Sequence, residues 1–181
     1  MSTKVPTELK GKVWHSTSIE NAMSMVRQGF IFAEPDIDQT KCWGGKSERV
    51  HPFVRSIGGI SLFDFRLPNS HVSEILYSFI PCKSGCAQTV WFEIDVSRLS
   101  DSFLSADETR MRWRESGMSR QYMPKLESTS LCPIPTSYIN SIYISRKMGC
   151  LNLLTWKHLP NKLFKSDSQR VAFSLCVVFS G

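Results

Sequence analysis

The chain lacks any apolar run of the roughly 18 residues that a membrane-spanning helix needs. Its polar start, MSTKVPTELKGK, has no apolar segment of the kind found in signal peptides. Internal repeats and low-complexity tracts are also missing, which argues against solenoid and disordered proteins. We therefore expect one folded domain, spanning residues 1–181, that is soluble, cytoplasmic and not bound to membranes.

Close cysteine pairs are scarce as well. The six cysteines are scattered and lie mostly among apolar residues, as is typical of reduced intracellular thiols. Cys82 and Cys86 are the only close pair, and no second Cys or His pair follows at zinc-site spacing. We expect no bound metal.

Acidic residues are outnumbered by basic ones. The 22 Lys and Arg against 16 Asp and Glu give a formal net charge of +6 over 181 residues. A positive excess favours a negatively charged partner, such as nucleic acid or a phosphorylated cofactor. With 41% hydrophobic residues the chain is long enough to bury one core.

Hydrophobic periodicity predicts a helix from Thr17 to Gly29, with Thr17 and Glu20 as a capping box, and a second helix from Ser70. Extended segments are predicted in FIFA (30–33), GGISLFDF (58–65), QTVWFEIDV (88–96), SYINSIYIS (137–145) and RVAFSLCVVFS (170–180). Residues 34–57 are predicted to be a long loop, and 101–126 a mobile surface segment with a short helix around 107–116. Strands without regular βαβ alternation indicate the α+β class.

His15 stands where a predicted strand ends and the first helix begins, within VWHSTSIENAMSMVRQGF (13–30). Ser16 and Thr17 follow it, so their hydroxyl and backbone groups can point at a ligand beside the helix start. A histidine in such a position is more often structural than functional when it is taken alone. This stretch therefore leaves both interpretations open.

The order of strand, His-x-Thr, capped helix and Gly-Phe in this stretch resembles the opening of the ADP-ribosyltransferase fold, including the DNA-targeting ADP-ribosyltransferase toxins. A second resemblance lies in LESTSLCPIPTSYINSIYIS (126–145), where Glu127 precedes a Pro-x-x-x-Ile-x-x-Ile signature as the catalytic glutamate does in those enzymes. GGISLFDFR (58–66) and VWFEIDVSRL (90–99) resemble the strands between them. The resemblance implies an α+β fold of split, mostly antiparallel β-sheets with flanking helices.

The same resemblance implies transfer of ADP-ribose from NAD, the co-substrate, to a nucleic-acid or protein acceptor, in a conflict between host and mobile element. It implies catalytic roles for Glu127, His15 and Arg55. The residues expected to bind NAD are His15, Ser16, Thr17, Ser61, Tyr122 and Arg49. An arginine suits the phosphates because its planar guanidinium binds two oxygens at once. The segments 34–57 and 101–126 would then select the acceptor.

Three other interpretations remain open. The carboxylates Asp36, Asp38, Glu93 and Asp95 are candidates for a divalent-metal nuclease site. The basic segments 110–125 and 146–170, with Trp113, Tyr122 and Trp156 interleaved, are candidates for a surface that follows phosphates and stacks on bases. A non-catalytic binding or inhibitor protein of the same fold, docked on a nucleic-acid-processing complex, is the main competitor to the enzyme.

Overall fold

The computed structural model describes residues 7–34, 52–67, 88–146 and 154–156. Its helices are α1 (Ile19–Gln28), α2 (Phe53–Ser56) and α3 (Ala106–Glu115). Its strands are β1 (Val13–Thr17), β2 (Phe30–Ile31), β3 (Ile60–Asp64), β4 (Gln88–Ile94), β5 (Phe103–Leu104), β6 (Glu127–Ser130), β7 (Ile134–Pro135), β8 (Ile139–Arg146) and β9 (Leu154–Trp156). Short 3-10 helices lie at Thr7–Leu9, Val96–Arg98, Ser100–Ser102 and Thr136–Tyr138.

Most of these strands form one sheet in the order β5-β6-β3-β1-β4-β8-β9, and β2 pairs with β7 in a smaller one. Neighbouring strands in both sheets run antiparallel. The predicted α+β class with a mostly antiparallel sheet is therefore confirmed. No helix in the described ranges combines the length and the apolar character needed to span a membrane.

The pairing of the large sheet is incomplete between its central strand, β1, and the neighbouring β3. β1 pairs with β3 only at Val13↔Asp64 and Trp14↔Phe63. Beyond Trp14, β1 stays paired with β4 as far as Thr17↔Val90, while β3 stays paired with β6 as far as Ile60↔Ser130. A gap between β1 and β3 therefore begins directly after Trp14, and His15 is the first residue beside it.

Both faces of the sheet are covered by apolar side chains, because successive residues of a strand point to opposite faces. One face carries an aromatic cluster made of Leu9, Trp14, Phe63, Phe65, Trp91, Met123 and Leu126. The other carries an aliphatic cluster that includes Val13, Leu62, Val90 and Phe92, against which α1 packs with Ile19, Ala22, Met25 and Val26.

The helix predicted from Thr17 is present, but its predicted cap is wrong. Thr17 is the last residue of β1, and Ser18 is the N-cap, whose hydroxyl accepts a hydrogen bond from the Asn21 amide at 3.3 Å. Strand pairing with Val90 holds Thr17, so the next hydroxyl along the chain caps the helix. At the other end Gly29 closes the helix with φ of 77°, as predicted.

The segment 101–126, predicted to lie at the surface, is partly buried. It contains β5 and α3, and Tyr122, Met123 and Leu126 are buried. α3 fits the helix predicted around 107–116, with Ser105 and Glu108 forming a capping box. The prediction failed because most residues of α3 are charged, which indicates an exposed segment, whereas its short buried side is formed by Ala106 and Thr109.

The predicted loop 34–57 contains α2, so that prediction is wrong for residues 53–56. Its residues 35–51, with Arg49, lie outside the described residues, as do the helix predicted from Ser70 and the strand predicted at 170–180. The extended segments predicted at 30–33, 58–65, 88–96 and 137–145 correspond to β2, β3, β4 and β8.

Candidate active site at the gap in the sheet

Three neighbouring strands bring Glu127, Ser61 and His15 together. Ser61 of β3 lies between the other two, since β6 is on one side of β3 and β1 is on the other. The Ser61 hydroxyl donates to Oε1 of Glu127 at 2.5 Å, and the Ser61 carbonyl oxygen lies 3.1 Å from Nδ1 of His15. One serine therefore links a carboxylate and an imidazole that are 112 positions apart in the sequence.

Glu127 is the first residue of β6 and is only 3% exposed, so it is a buried strand residue. Oε1 accepts from the Ser61 hydroxyl, and Oε2 accepts from the Met123 amide at 2.9 Å. Burial raises the pKa of Glu127 to about 7, although these two hydrogen bonds act to lower it. At neutral pH this carboxyl group therefore holds its proton more readily than an ordinary glutamate does.

His15 sits on the β1 side of the gap. A carbonyl oxygen can only accept, so Nδ1 of His15 carries a proton toward Ser61 and Nε2 is the acceptor in the neutral ring. Burial lowers the pKa of His15, and the hydrogen bond to the Ser61 carbonyl partly offsets this effect. The neutral imidazole is the form that the surroundings favour.

The strand register decides which side chains share a face of the sheet. Glu127 is paired with Phe63, so Glu127 and Ser61 lie on the aromatic face. Ser16 is paired with Trp91 and shares this face. His15 is paired with Phe92 and leaves its strand on the opposite face. The gap lies between β1, which carries His15, and β3, which carries Ser61.

Ser16 and Thr17 differ in their surroundings. The Ser16 side chain is half-buried, whereas that of Thr17 is only 5% exposed. The Lys12 carbonyl accepts from the Phe65 amide at 2.9 Å, so strand alternation directs the N–H and C=O of Ser16 to the same side, toward β3. The Ser16 backbone therefore faces the gap.

Arg55 lies in α2 and is held by an acidic residue. Its Nε and a terminal nitrogen donate to the two carboxylate oxygens of Glu34 at 2.7 and 2.6 Å. The Arg55 side chain is 12% exposed and that of Glu34 is 56% exposed. The two-pronged geometry expected for a phosphate is thus occupied by a carboxylate of the chain itself.

Tyr122 is 7% exposed, and its hydroxyl donates to the Ala106 carbonyl at 3.3 Å. Its ring stacks on that of Trp113, with 4.9 Å between centroids. Burial and the neighbouring Glu127 raise the pKa of Tyr122 to about 12. In this structure Trp113 and Tyr122 pack on each other, so their predicted stacking on bases would require the pair to separate.

Two contacts of the site could not be predicted from the sequence. The Met123 amide that binds Glu127 has no residue-type signature, because every residue except proline carries the same N–H. Glu34 stands 21 positions before Arg55, and no periodicity relates the two. Only the folded chain reveals either partner.

The carboxylates proposed for a nuclease site have other partners. Glu93 accepts from Lys12 at 2.8 Å and also from the Ser141 hydroxyl. Asp95 caps the 3-10 helix that follows it by accepting from Ser97. Asp36 and Asp38 lie outside the described residues. Within the described part of the chain, no group of three His, Cys, Asp or Glu is placed to hold a metal ion.

Comparison of the chain with known proteins gave no match among family models, curated proteins or solved structures. Its function is therefore inferred from the residues and their geometry.

Proposed function

We propose that this protein is an ADP-ribosyltransferase-like enzyme that moves ADP-ribose from NAD to a macromolecular acceptor. The observation that supports it best is the link from Glu127 through Ser61 to His15 across three adjacent strands. The sequence resemblance assigns a role to each of these three residues. Ser61 connects the carboxylate and the imidazole that the proposed chemistry would use.

Cleavage of the bond between nicotinamide and ribose passes through a state with positive charge on the sugar. A carboxylate stabilises that charge where water is excluded, and it also orients the attacking group. Nicotinamide leaves with the electrons of the broken bond, and the acceptor forms the new bond to the ribose carbon. Glu127 suits this role, since two hydrogen bonds fix its direction and burial removes competing water.

The gap supplies groups that match other parts of NAD. Nε2 of His15 is an acceptor for a ribose hydroxyl, and the Ser16 N–H and C=O complement a carboxamide, which carries one acceptor and two donors. Thr17 is buried, so its predicted contact with NAD would run through the backbone near Ser16. Arg55 would meet the phosphates only after exchanging Glu34 for them.

The test is transfer of labelled ADP-ribose from NAD to DNA, RNA and protein acceptors. Glu127→Gln keeps the shape but carries no charge. Its amide oxygen can still accept from the Met123 amide, while its NH2 can only donate toward the Ser61 oxygen, and we expect a loss of about 10²–10³ in kcat. For the parent protein, the rate should rise as pH increases through about 7, because Glu127 must lose its proton to act. Undiminished transfer by Glu127→Gln would exclude this role.

Salt dependence distinguishes the two classes of acceptor. The affinity for DNA or RNA should fall steeply between 50 and 200 mM salt, by a factor of about 10³ if roughly six phosphates are contacted. The formal charge of +6 favours this outcome. Transfer that changes little with salt would indicate a protein acceptor instead.

The second candidate is a non-catalytic binding protein of the same fold. Three observations favour it, the first two being the closed environment of Glu127 and the pairing of Arg55 with Glu34. His15 also leaves its strand on the opposite face from Glu127. This function would be established by two results together. The parent protein would bind neither NAD nor its analogues, and Glu127→Gln would bind a macromolecular partner as tightly as the parent does.

A further inference from the structure

The segment from Gln121 to Leu126 forms a short arm beside Glu127. The Met123 amide donates to Oε2 of Glu127 at 2.9 Å. The Met123 carbonyl in turn accepts from the amides of Leu126 at 3.3 Å and Glu127 at 3.1 Å. Lys125 closes the turn with φ of 61°. Met123 therefore binds the backbone and the side chain of Glu127 at once.

The arm is anchored at the residue before Met123. The Tyr122 ring stacks on Trp113 of α3, and its hydroxyl reaches the carbonyl of Ala106 at the start of the same helix. Nε1 of Trp113 donates to the Arg120 carbonyl at 2.9 Å, so the helix holds the arm on both sides of Gln121. Phe53 of α2 adds a hydrogen bond from its amide to the Gln121 carbonyl at 2.8 Å.

A rigid unit connects this anchor to the carboxylate. The peptide bond between Tyr122 and Met123 is planar, so the Cα atom of Tyr122 and the N–H of Met123 lie in one plane. Any rotation or shift of Tyr122 therefore changes the direction of the N–H that binds Oε2. A deviation of about 1 Å at a reacting group is enough to reduce a rate substantially.

We propose that Tyr122 is a positioning residue, which acts through the Met123 amide to fix the direction of the Glu127 carboxylate. This role rests on the proposed enzymatic function, but the placement of the carboxylate is measurable without it. It differs from the direct contact with NAD that the sequence predicted for Tyr122. The hydroxyl and ring of Tyr122 instead bind α3.

Several groups surround the carboxylate and affect its titration. Ser61 and the Met123 amide bind Glu127 directly, and Tyr122 is the titratable neighbour among the described residues. Arg110 and Asp107 of α3 act on Tyr122 with opposite signs. Because the Met123 amide is bonded to the carboxylate, its NMR resonance should follow the ionisation of Glu127, with a midpoint of about 7.

The experiment is a pH titration of the Met123 amide and of the Glu127 side-chain carboxyl carbon by NMR. In Tyr122→Leu, which loses the stack and the hydroxyl, we expect the pH-dependent shift of the Met123 amide to fall at least about threefold. Tyr122→Phe keeps the ring and should retain most of it. If Tyr122→Leu does not fold, Trp113→Leu at the half-buried partner tests the same stack.

Matched kinetics separate positioning from general damage. Tyr122→Leu should lower kcat for NAD by about tenfold, with KM within about twofold. Ile144→Ala is the control, since it removes a buried side chain from β8, four strands away in the sheet, and should leave the Met123 titration unchanged. A full Met123 shift in Tyr122→Leu overturns the proposal. An inactive parent protein with the expected NMR changes overturns the enzymatic function and leaves the placement of the carboxylate established.

Discussion

Two clusters of side chains occupy the central strands and are built on different principles. In the aromatic cluster, Trp14 donates from Nε1 to the Leu9 carbonyl at 2.9 Å, and Trp91 donates to the Ser145 hydroxyl at 3.1 Å. In the polar cluster, Ser61 joins the titratable groups of His15 and Glu127. The first cluster satisfies its polar atoms without any ionisable side chain, whereas the second is built on two of them.

The two clusters are in contact, and this contact explains why Glu127 of the polar cluster is buried. Phe63 is paired with Glu127, and Met123 and Leu126 of the arm belong to the aromatic cluster. The aromatic cluster therefore supplies the burial that raises the pKa of Glu127. Ionising a buried carboxyl group costs stability, and a site that stabilises positive charge needs such a group.

The largest expected effect comes from the aromatic cluster. Trp14 is fully buried, so Trp14→Ala should lower the free energy of unfolding by about 3–5 kcal/mol through lost burial and the cavity that remains. Urea denaturation at pH 5.5 measures it. Met111→Ala on α3, where the side chain is 56% exposed, is the control and should stay within about 0.5 kcal/mol. A small loss in Trp14→Ala would show that the cluster is loosely packed.

In the polar cluster, Glu127→Gln should raise the free energy of unfolding relative to the parent as pH increases, by less than Trp14→Ala lowers it. Between about pH 4.5 and 7 the folded protein keeps the Glu127 proton that the unfolded chain releases, so stability falls as pH rises through this window. Glu127→Gln does not titrate. Its stability relative to the parent should therefore increase by about 3 kcal/mol between pH 4 and pH 9.

Urea denaturation of parent and variant across this pH range measures the difference. Glu115→Gln makes the same change in net charge at an exposed position of α3, and its difference from the parent should stay within about 0.5 kcal/mol. A constant difference between Glu127→Gln and the parent would mean that Glu127 ionises in the folded protein as readily as in the unfolded chain.

The sequence predicted best where local patterns determine structure. The alternation and β-branched residues around Val90 predicted β4, and Gly29 marked the end of α1 correctly. It failed where tertiary packing decides. The many charged residues of 101–126 indicated a surface segment, but the stack of Tyr122 on Trp113 packs part of it against the fold. A contact between side chains on different elements leaves no periodic signal in the sequence.

The sequence selected candidate residues for the site but did not give their geometry. The resemblance selected His15, Ser61 and Glu127, and the structure brings these three together. It gave no indication that β1 and β3 separate after Trp14, because strand pairing depends on residues that are far apart in sequence. For Arg55, residue type suggested a phosphate ligand, while the fold supplies Glu34.

The smallest of the three effects on stability concerns His15, and its dependence on pH should have the opposite sign to that of Glu127. Burial lowers the pKa of His15, so below about pH 6.5 the unfolded chain takes up a proton that the folded protein resists, and stability falls as pH falls. The effect is limited because His15 is only half-buried and its bond to the Ser61 carbonyl persists after protonation.

His15→Asn retains a donor near the position of Nδ1 but does not titrate, so its stability relative to the parent should rise as pH decreases below 6.5. Denaturation of both proteins between pH 5 and pH 7.5 measures this difference, in which the opposing contribution of Glu127 cancels. If the difference instead shrank on acidification, His15 would gain a proton more readily in the folded protein than in the unfolded chain. The gap would then favour an imidazolium ion, which suits an anionic ligand group rather than a ribose hydroxyl.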